Sequence, residues 1–316
     1  MDVRSSALNG GRCVVATRAC RAGELVLVDA PLEVANSRRE LLERVFETAN
    51  DEDEPEYRSL LLSFCGDEAD EEVRANALEH GLVPAALVER IISHNYHVVD
   101  IPPVDGRTED GGRTVCGLWP LGSIVNHSLH PNAARTFVGH ANCYRLMRDL
   151  SAGEELLDNY LDPRLPHSER VAVLQKVHLM QDEGPDEFDA PTDVLDAIDL
   201  ARSDIESLFQ EDRLAEAFRM LGDVTERCRS CGYRDPAFVE IFRIYSDVAS
   251  EVAHDRELQL AALATALEYA TAREPFSAVS CVLAAELLGS ALERPPGEAA
   301  QELDRAEALA RKHFRR

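Results

Sequence analysis

Long apolar runs are missing from this chain of 316 residues. A membrane-spanning helix requires roughly 18–20 consecutive apolar residues, and no segment approaches that length. The opening segment, MDVRSSALNGGRC, also lacks the apolar region of a secretory signal peptide. We therefore expect no membrane partner and a cytoplasmic location, with the nucleus as the alternative.

Basic residues are scarce, with 33 Lys and Arg against 58 Asp and Glu, which gives a formal net charge of -25. Such a surface repels the phosphates of nucleic acids, so we expect no nucleic acid partner. Two stretches concentrate the acids, residues 47–72 with eleven and residues 182–212 with twelve, each with one arginine. They either attract a basic protein or peptide or form solvated surfaces, and the sequence leaves both open.

Several chemical signatures are absent as well. The chain has no GxGxxG after a strand, no P-loop and no GxSxG, which argues against Rossmann, NTPase and hydrolase functions. Its eight cysteines form no disulfide framework and are expected to be reduced thiols. The Cys228–Cys231 CxxC has no second pair, so it is more typical of helix-end cysteines than of a zinc or redox site.

The N-terminal half alternates between two kinds of pattern. Stretches rich in β-branched residues, bounded by Gly and Asp, predict strands at Arg12–Thr17, Leu25–Val28, Arg135–Val138 and Cys143–Met147. A turn at Arg21–Glu24 joins the first two, so the second strand is expected to return beside the first as a hairpin. Apolar residues three and four positions apart predict helices at Leu41–Glu47, Tyr57–Cys65 and Pro84–Asn95.

After Ser168 the strand signals disappear and helical periodicity takes over. It predicts six helices with short connectors, at Leu195–Leu208, Leu214–Cys228, Pro236–Val252, Leu258–Ala272, Phe276–Leu292 and Glu298–His313. Their lengths suggest antiparallel hairpins stacked as a solenoid, although no tetratricopeptide consensus is present. We therefore expect an all-α, helical-repeat (TPR-like) C-terminal domain.

Residues 117–163 contain the most informative segment, GLWPLGSIVNHSLHPNAARTFVGHANCYRLMRDLSAGEELLDNYLDP. An Asn-His pair is followed by Pro-Asn, then by Gly-Glu-Glu-Leu and a tyrosine five residues past Glu155. This pattern resembles the SET-domain lysine methyltransferases, most closely the SET-and-MYND (SMYD) branch. The resemblance covers roughly residues 9–34 and 91–180.

The resemblance implies an α+β fold with S-adenosylmethionine as the cofactor. A split, β-rich SET domain would comprise residues 1–36 and 91–180, with a helical insertion at 37–90. The helical-repeat C-terminal domain would then comprise residues 181–316. A protein lysine on a basic protein or peptide is the simplest acceptor that the resemblance implies.

The same resemblance assigns the cofactor-binding residues. Asn126 and His127, within the run that contains Ser123 and Val125, would contact the adenine and ribose side, largely through backbone groups. Gly11 and Arg12 match the turn that approaches the methionine end of the cofactor. The residue after them is a cysteine where the family has a second glycine, which alters this turn because a Cβ obstructs close backbone approach.

Three further positions follow less closely from the resemblance. Asn95 matches an asparagine that contacts the carboxylate or amino group of the cofactor, although a helix-end or turn asparagine is the other interpretation. His178 takes the place of an aromatic residue that stacks on adenine. Trp119 replaces a tyrosine that walls the site, and is at least as well explained as a core residue.

Tyr160 would be the catalytic residue. A free lysine has a pKa of about 10.4, yet the amine must be neutral to accept a methyl group. An apolar channel and the nearby sulfonium would favour the neutral amine. A fixed tyrosine hydroxyl would then direct the nitrogen lone pair towards the methyl carbon.

The zinc ligands of the SMYD branch are replaced in this sequence. Leu129 stands where the family has the cysteine after Asn-His-Ser, and the post-SET stretch HLMQDEGPDE contains no cysteine. We therefore predict that no zinc is bound. These losses leave two alternatives open, a SET scaffold recruited for a small-molecule reaction that uses bound S-adenosylmethionine, and a non-catalytic binding module.

Overall fold

A computed structural model describes residues 1–5, 11–65, 71–101, 113–162, 165, 167–178, 184, 188–275 and 277–292. The chain divides into two compact units. The N-terminal unit comprises Met1–His127 and Pro131–Asp158, and the C-terminal unit comprises Ser128–His130 and Asn159–Arg316. The domain boundaries stated above stay a prediction.

The N-terminal unit contains short strands in small sheets. The strands are β1 (Asp2–Ser5), β2 (Arg12–Val15), β3 (Leu25–Asp29), β4 (Glu33–Ala35), β5 (Tyr96–Ile101), β6 (Arg113–Leu118), β7 (Asn126–His127), β8 (Ala133–Val138), β9 (Ala141–Leu146) and β10 (Leu157–Asp158). The sheets have the orders β1-β2, β3-β9-β8, β4-β6-β5 and β10-β7. The last pair is parallel and the other pairings are antiparallel.

The strands expected around the Arg21–Glu24 turn exist, but the two-strand pairing that the turn implied is wrong. β2 pairs with β1, while β3 pairs with β9 in another sheet. Val14 and Leu27 nevertheless enter one buried cluster with Tyr144 of β9. Burial of these apolar side chains favours the distant partner strands over the local pairing.

Helices α1 to α4 form the insertion within this unit, at Arg38–Ala49, Pro55–Leu62, Glu71–His80 and Ala85–Asn95. The hydroxyl of Ser37 caps α1 by accepting a hydrogen bond from the backbone of Glu40. Their apolar faces meet in a core that includes the fully buried Leu41, Val45 and Ile92. The sequence patterns predicted three of these helices and missed α3, which buries only Ala77.

The described part of the C-terminal unit is helical. It contains α5 (His167–Val173), which continues as a π-helical turn over Leu174–His178, then α6 (Thr192–Gln210), α7 (Leu214–Ser230), α8 (Val239–Glu251), α9 (Arg256–Arg273) and α10 (Ala278–Leu292). A short 3-10 turn at Pro236–Phe238 precedes α8. Five helices predicted from periodicity are confirmed, and the sixth, Glu298–His313, lies outside the described residues.

The core of this unit is built from apolar side chains of α6 to α10. Ala217, Leu221, Phe242 and Ala266 are fully buried in it. Among the described helices, none combines the length and hydropathy needed to cross a membrane.

Candidate functional site

The Asn-His pair forms β7 and lies parallel to β10. Asn126 is opposite Leu157 in register, and His127 is opposite Asp158. His127 is buried, whereas Asn126 is partly exposed. Two segments of the motif that are about thirty residues apart in sequence therefore lie side by side, which the linear motif alone could not show.

The side-chain amide of Asn126 has a fixed orientation. Its Nδ2 donates to the backbone oxygen of Arg12 at 3.0 Å and to Oε1 of Glu155 at 2.6 Å. Both partners can only accept hydrogen bonds, so the end of the amide that faces them must be its NH2 group. The amide oxygen is then the atom that Asn126 can offer to a ligand. The site therefore presents a hydrogen-bond acceptor at this point.

Asn132, which lies between β7 and β8 in the chain, hydrogen-bonds to the segment that leads into β10. The sequence patterns did not single it out as a site residue. Its side chain is fully buried, accepts from the backbone of Leu157 at 2.9 Å and donates to the backbone oxygen of Glu155 at 2.7 Å. Its backbone nitrogen donates to the Leu157 oxygen at 3.2 Å. The Pro-Asn that follows Asn-His in the sequence is the signal that could have identified it.

The turn before β7 is capped by Asp29. Its Oδ2 accepts hydrogen bonds from the backbone nitrogens of Leu121 and Gly122, at 2.8 and 2.7 Å. Burial raises the pKa of Asp29, and these two hydrogen bonds oppose the rise. Position 122 requires glycine, because a Cβ there would lie 2.5 Å from Nδ2 of Asn142. The approach to Asn126 is therefore tightly packed.

Gly11 precedes β2, and Arg12 and Cys13 begin it. Burial, with the charge of Arg74 as a second cause, lowers the pKa of the half-buried Arg12. The Cys13 thiol is buried, and burial followed by the charge of Glu155 raises its pKa. Cys13 is therefore accommodated as a neutral thiol within the β1-β2 pair.

The structure also brings Asn95 and Ser123 together. The hydroxyl of Ser123 donates to the backbone oxygen of Asn95 at 3.2 Å. Asn95 ends α4, and its amide donates to the backbone oxygen of Ile91 at 2.8 Å, as expected of a helix-end asparagine. Val125 is fully buried in the core, so its backbone is the part that could face a ligand.

Trp119 is a core residue. Its side chain is fully buried, its Nε1 donates to the backbone oxygen of His140 at 2.9 Å, and its ring makes edge contacts with His97 and Phe137. Gly117 makes room for it, because a Cβ at that position would lie 2.7 Å from the indole ring.

A chain of polar side chains runs from His97 to β10. Nη1 of Arg135 donates to Nδ1 of His97 at 2.9 Å, and Nε of Arg135 lies 3.3 Å from Oδ2 of Asp158. Burial, with the charge of Arg135 as the second cause, lowers the pKa of His97 to about 3. The imidazole is therefore neutral, and Arg135 directs its charge to the buried carboxylate next to His127.

The model of the SET domain family matches residues 11–161. The match covers just under half of the chain, which is therefore similar to a SET domain over these residues. Histone-lysine N-methyltransferase SMYD3 of Mus musculus and of Homo sapiens is 41% identical to the chain over 59 residues, which are 19% of this chain and 14% of each relative. Histone-lysine N-methyltransferase set5 of Schizosaccharomyces pombe is 37% identical over 60 residues, 18% of this chain and 19% of the relative.

The chain thus spans less than a fifth of the length of these relatives. Among solved structures, the crystal structure of the SET domain of LSMT bound to lysine and AdoHcy aligns with 99% of this chain and 85% of the LSMT chain. The sequence identity is 12% and the TM-score is 0.31.

The match to the SET domain family ends at residue 161, just after Tyr160, which belongs to the C-terminal unit. Nδ2 of Asn159 donates to Oε1 of the buried Glu274 at 2.9 Å, and the backbone of Leu161 donates to Oδ1 of Asn159 at 3.1 Å. Asn159 therefore links the backbone that follows Tyr160 to Glu274, the residue that ends α9.

A buried ionic group surrounds Leu129, the position where the resemblance places a zinc-binding cysteine. Nη2 of Arg273 donates to the Leu129 oxygen at 2.9 Å, and its Nη1 donates to Oδ1 of Asp189 at 3.0 Å. Asp189 also accepts a hydrogen bond from the fully buried Arg170. Within the described ranges, no three His, Cys, Asp or Glu residues are arranged to hold a metal ion.

His178 lies beyond the SET domain match, at the end of the π-helical turn. Its side chain is outside the described part of the structure, and so is most of the post-SET stretch. Its assignment to the cofactor stays a prediction, as do the assignments of the other site residues.

Proposed function

We propose that this protein is an S-adenosylmethionine-dependent methyltransferase that most simply methylates a lysine of a basic protein. The observation that carries the proposal is the oriented amide of Asn126 on the β7-β10 pair of a SET domain. The relatives named histone-lysine N-methyltransferases support the protein-lysine acceptor.

The chemistry of the described residues fits the cofactor. S-adenosylmethionine carries amino groups on its adenine and on its methionine end, and these donors match the free amide oxygen of Asn126. Its carboxylate matches the cationic side chain of Arg12. Gly11, Asn95, Ser123, Val125, His127 and His178 are the other residues proposed to hold it.

Tyr160 is proposed as the catalytic residue. When bound, the cofactor supplies the methyl group and a positive sulfonium. The Tyr160 hydroxyl would accept a hydrogen bond from the neutral lysine amine and so direct its lone pair. Asn159 would keep the tyrosine in place through its contacts with Glu274 and Leu161.

Transfer of label from methyl-tritiated S-adenosylmethionine tests the proposal. In Tyr160→Phe we expect kcat to fall by roughly 10²-fold with cofactor affinity nearly unchanged, because the hydroxyl acts in the transition state. Tyr57→Phe is the matched control, since the buried hydroxyl of Tyr57 has no hydrogen-bond partner in the described structure. Activity of Tyr160→Phe within about twofold of wild type would move the chemistry to another residue.

A small-molecule acceptor is the second candidate. Cys13 at the family's glycine position and Leu129 at a ligand position favour it, because both alter the edges of the site. The same labelling experiment separates the candidates, since the label would enter a low-molecular-weight extract instead of protein. Cofactor binding without any transfer would indicate a non-catalytic binding module. The helices after α5 are proposed to form the TPR-like domain that holds the partner.

A further inference from the structure

A cavity of about 160 Å³ lies within the C-terminal unit, between α5, α6 and the start of α8. Its floor is apolar and is formed by the buried side chains of Leu195, Ile198, Phe238 and Ile241. Pockets for drug-sized molecules usually measure about 300–1,000 Å³. This cavity is therefore of a size suited to one side chain rather than to a whole small molecule.

The rim of the cavity is acidic. Glu169, Asp199 and Glu240 line it together with a single base, Arg202. The guanidinium of Arg202 lies 3.5 Å from the carboxylate of Asp199, so these two charges offset each other. Glu240 lies 3.9 Å from Arg243, whose guanidinium is closer to Glu286, at 3.0 Å. The rim thus has an excess of negative charge.

Glu169 carries the least compensated of these charges. Its carboxylate makes no ion pair or hydrogen bond with any residue that the structure describes. It projects from α5 at the mouth of a cavity whose floor is apolar. An apolar floor below uncompensated carboxylates complements a side chain with an aliphatic stem and a cationic end.

We propose that this cavity binds a lysine or arginine side chain from a basic segment of a partner protein. The methylene stem would lie on Ile198 and Phe238, and the cationic end would meet Glu169 and Glu240. The exposed acids along α6 would attract the neighbouring basic residues of the same segment. That this partner is the methyl acceptor rests on the proposed function, whereas binding itself does not.

Fluorescence anisotropy tests the proposal with the full chain and no cofactor. The probe is a short fluorescein-labelled peptide that contains several lysines and arginines, compared with the same peptide in which glutamine replaces each of them. We expect the basic peptide to bind and the glutamine peptide not to bind. The affinity for the basic peptide should fall as the salt concentration rises. In Glu169→Gln/Glu240→Gln the affinity should fall by about three- to tenfold.

Two further variants separate the cavity from the general acidity of the protein. Asp223→Asn/Glu257→Gln removes the same charge from exposed positions outside both the cavity and α6, and should bind within about twofold of wild type. Ala237→Phe fills the cavity without changing charge and should abolish binding. Equal losses in the two charge variants, or full binding by Ala237→Phe, would overturn the proposal.

The outcome is independent of methyl transfer. If no methyl transfer were found, the anisotropy result would still decide whether the cavity recognises a cationic side chain. If the cavity variants bound normally, the Tyr160 result would be unaffected.

Discussion

Glu155 holds the amide of Asn126 through a 2.6 Å hydrogen bond from Nδ2. If Asn126 contacts the cofactor, Asn126→Ala should weaken cofactor binding by about 1–3 kcal/mol, because the amide that would hydrogen-bond to the cofactor is lost. Glu155→Ala should weaken it by roughly 1 kcal/mol, because the amide is then free to rotate. Calorimetric titration with S-adenosylmethionine measures both.

Glu155→Gln provides the control for this pair. A glutamine can still accept a hydrogen bond from Asn126 through its amide oxygen, so affinity should return close to that of wild type. If Glu155→Ala bound as tightly as wild type, Glu155 would have no part in orienting Asn126.

His97 should make stability depend on pH. Its pKa of about 3 in the folded protein lies below the 6.5 of an unfolded histidine. Between these values the unfolded chain binds a proton that the folded chain does not, so stability is complete above pH 6.5 and is lost as pH falls towards 3. At about 1.4 kcal/mol per pH unit, this amounts to about 2 kcal/mol between pH 7 and pH 5.

Urea unfolding at the two pH values measures this loss. His97→Gln should lose less stability on acidification than wild type, because glutamine does not titrate. His94→Gln removes an exposed histidine three residues earlier and should behave as wild type. Equal acid sensitivity of wild type and His97→Gln would show that His97 is not kept neutral by the fold.

The helices that could be predicted from the sequence are those that bury one regular stripe of apolar side chains. α6 and α7 each turn one apolar stripe to the core, so three- and four-residue spacing identified them. α3 buries only Ala77 and left no such stripe. β5 and β6 were missed because β5 directly follows α4 without a break, and because short strands carry weak periodicity.

The ionic group of the C-terminal unit joins three elements that periodicity could not connect. Asp189, just before α6, lies against Arg170 of α5 and Arg273 of α9. Asp189→Ala would leave two buried guanidinium groups without this counter-charge. We expect a loss of about 3–5 kcal/mol in the free energy of unfolding, measured by urea denaturation.

Glu226→Ala is the matched control for Asp189→Ala. Glu226 forms an exposed pair with Arg229 at 3.9 Å, and such pairs contribute about 0–1 kcal/mol. A comparable, small loss in both variants would mean that the ionic group around Asp189 adds little to the stability of the unit.

For the whole molecule, the linear motif located the candidate site but not its internal contacts. Asn126 and Tyr160 were identified from residues that are close in sequence. The contact of Asn126 with Arg12, which is more than a hundred residues away, depends on the β1-β2 and β7-β10 pairings. Contacts of this kind follow from topology, which no local pattern specifies.

Calorimetric titration of the whole chain with S-adenosylmethionine and with its demethylated product tests the central claim most directly. The account predicts saturable binding of each ligand at one site per chain, because the segment that matches the SET domain family presents one oriented Asn126. No detectable heat with either ligand at high protein concentration would contradict it.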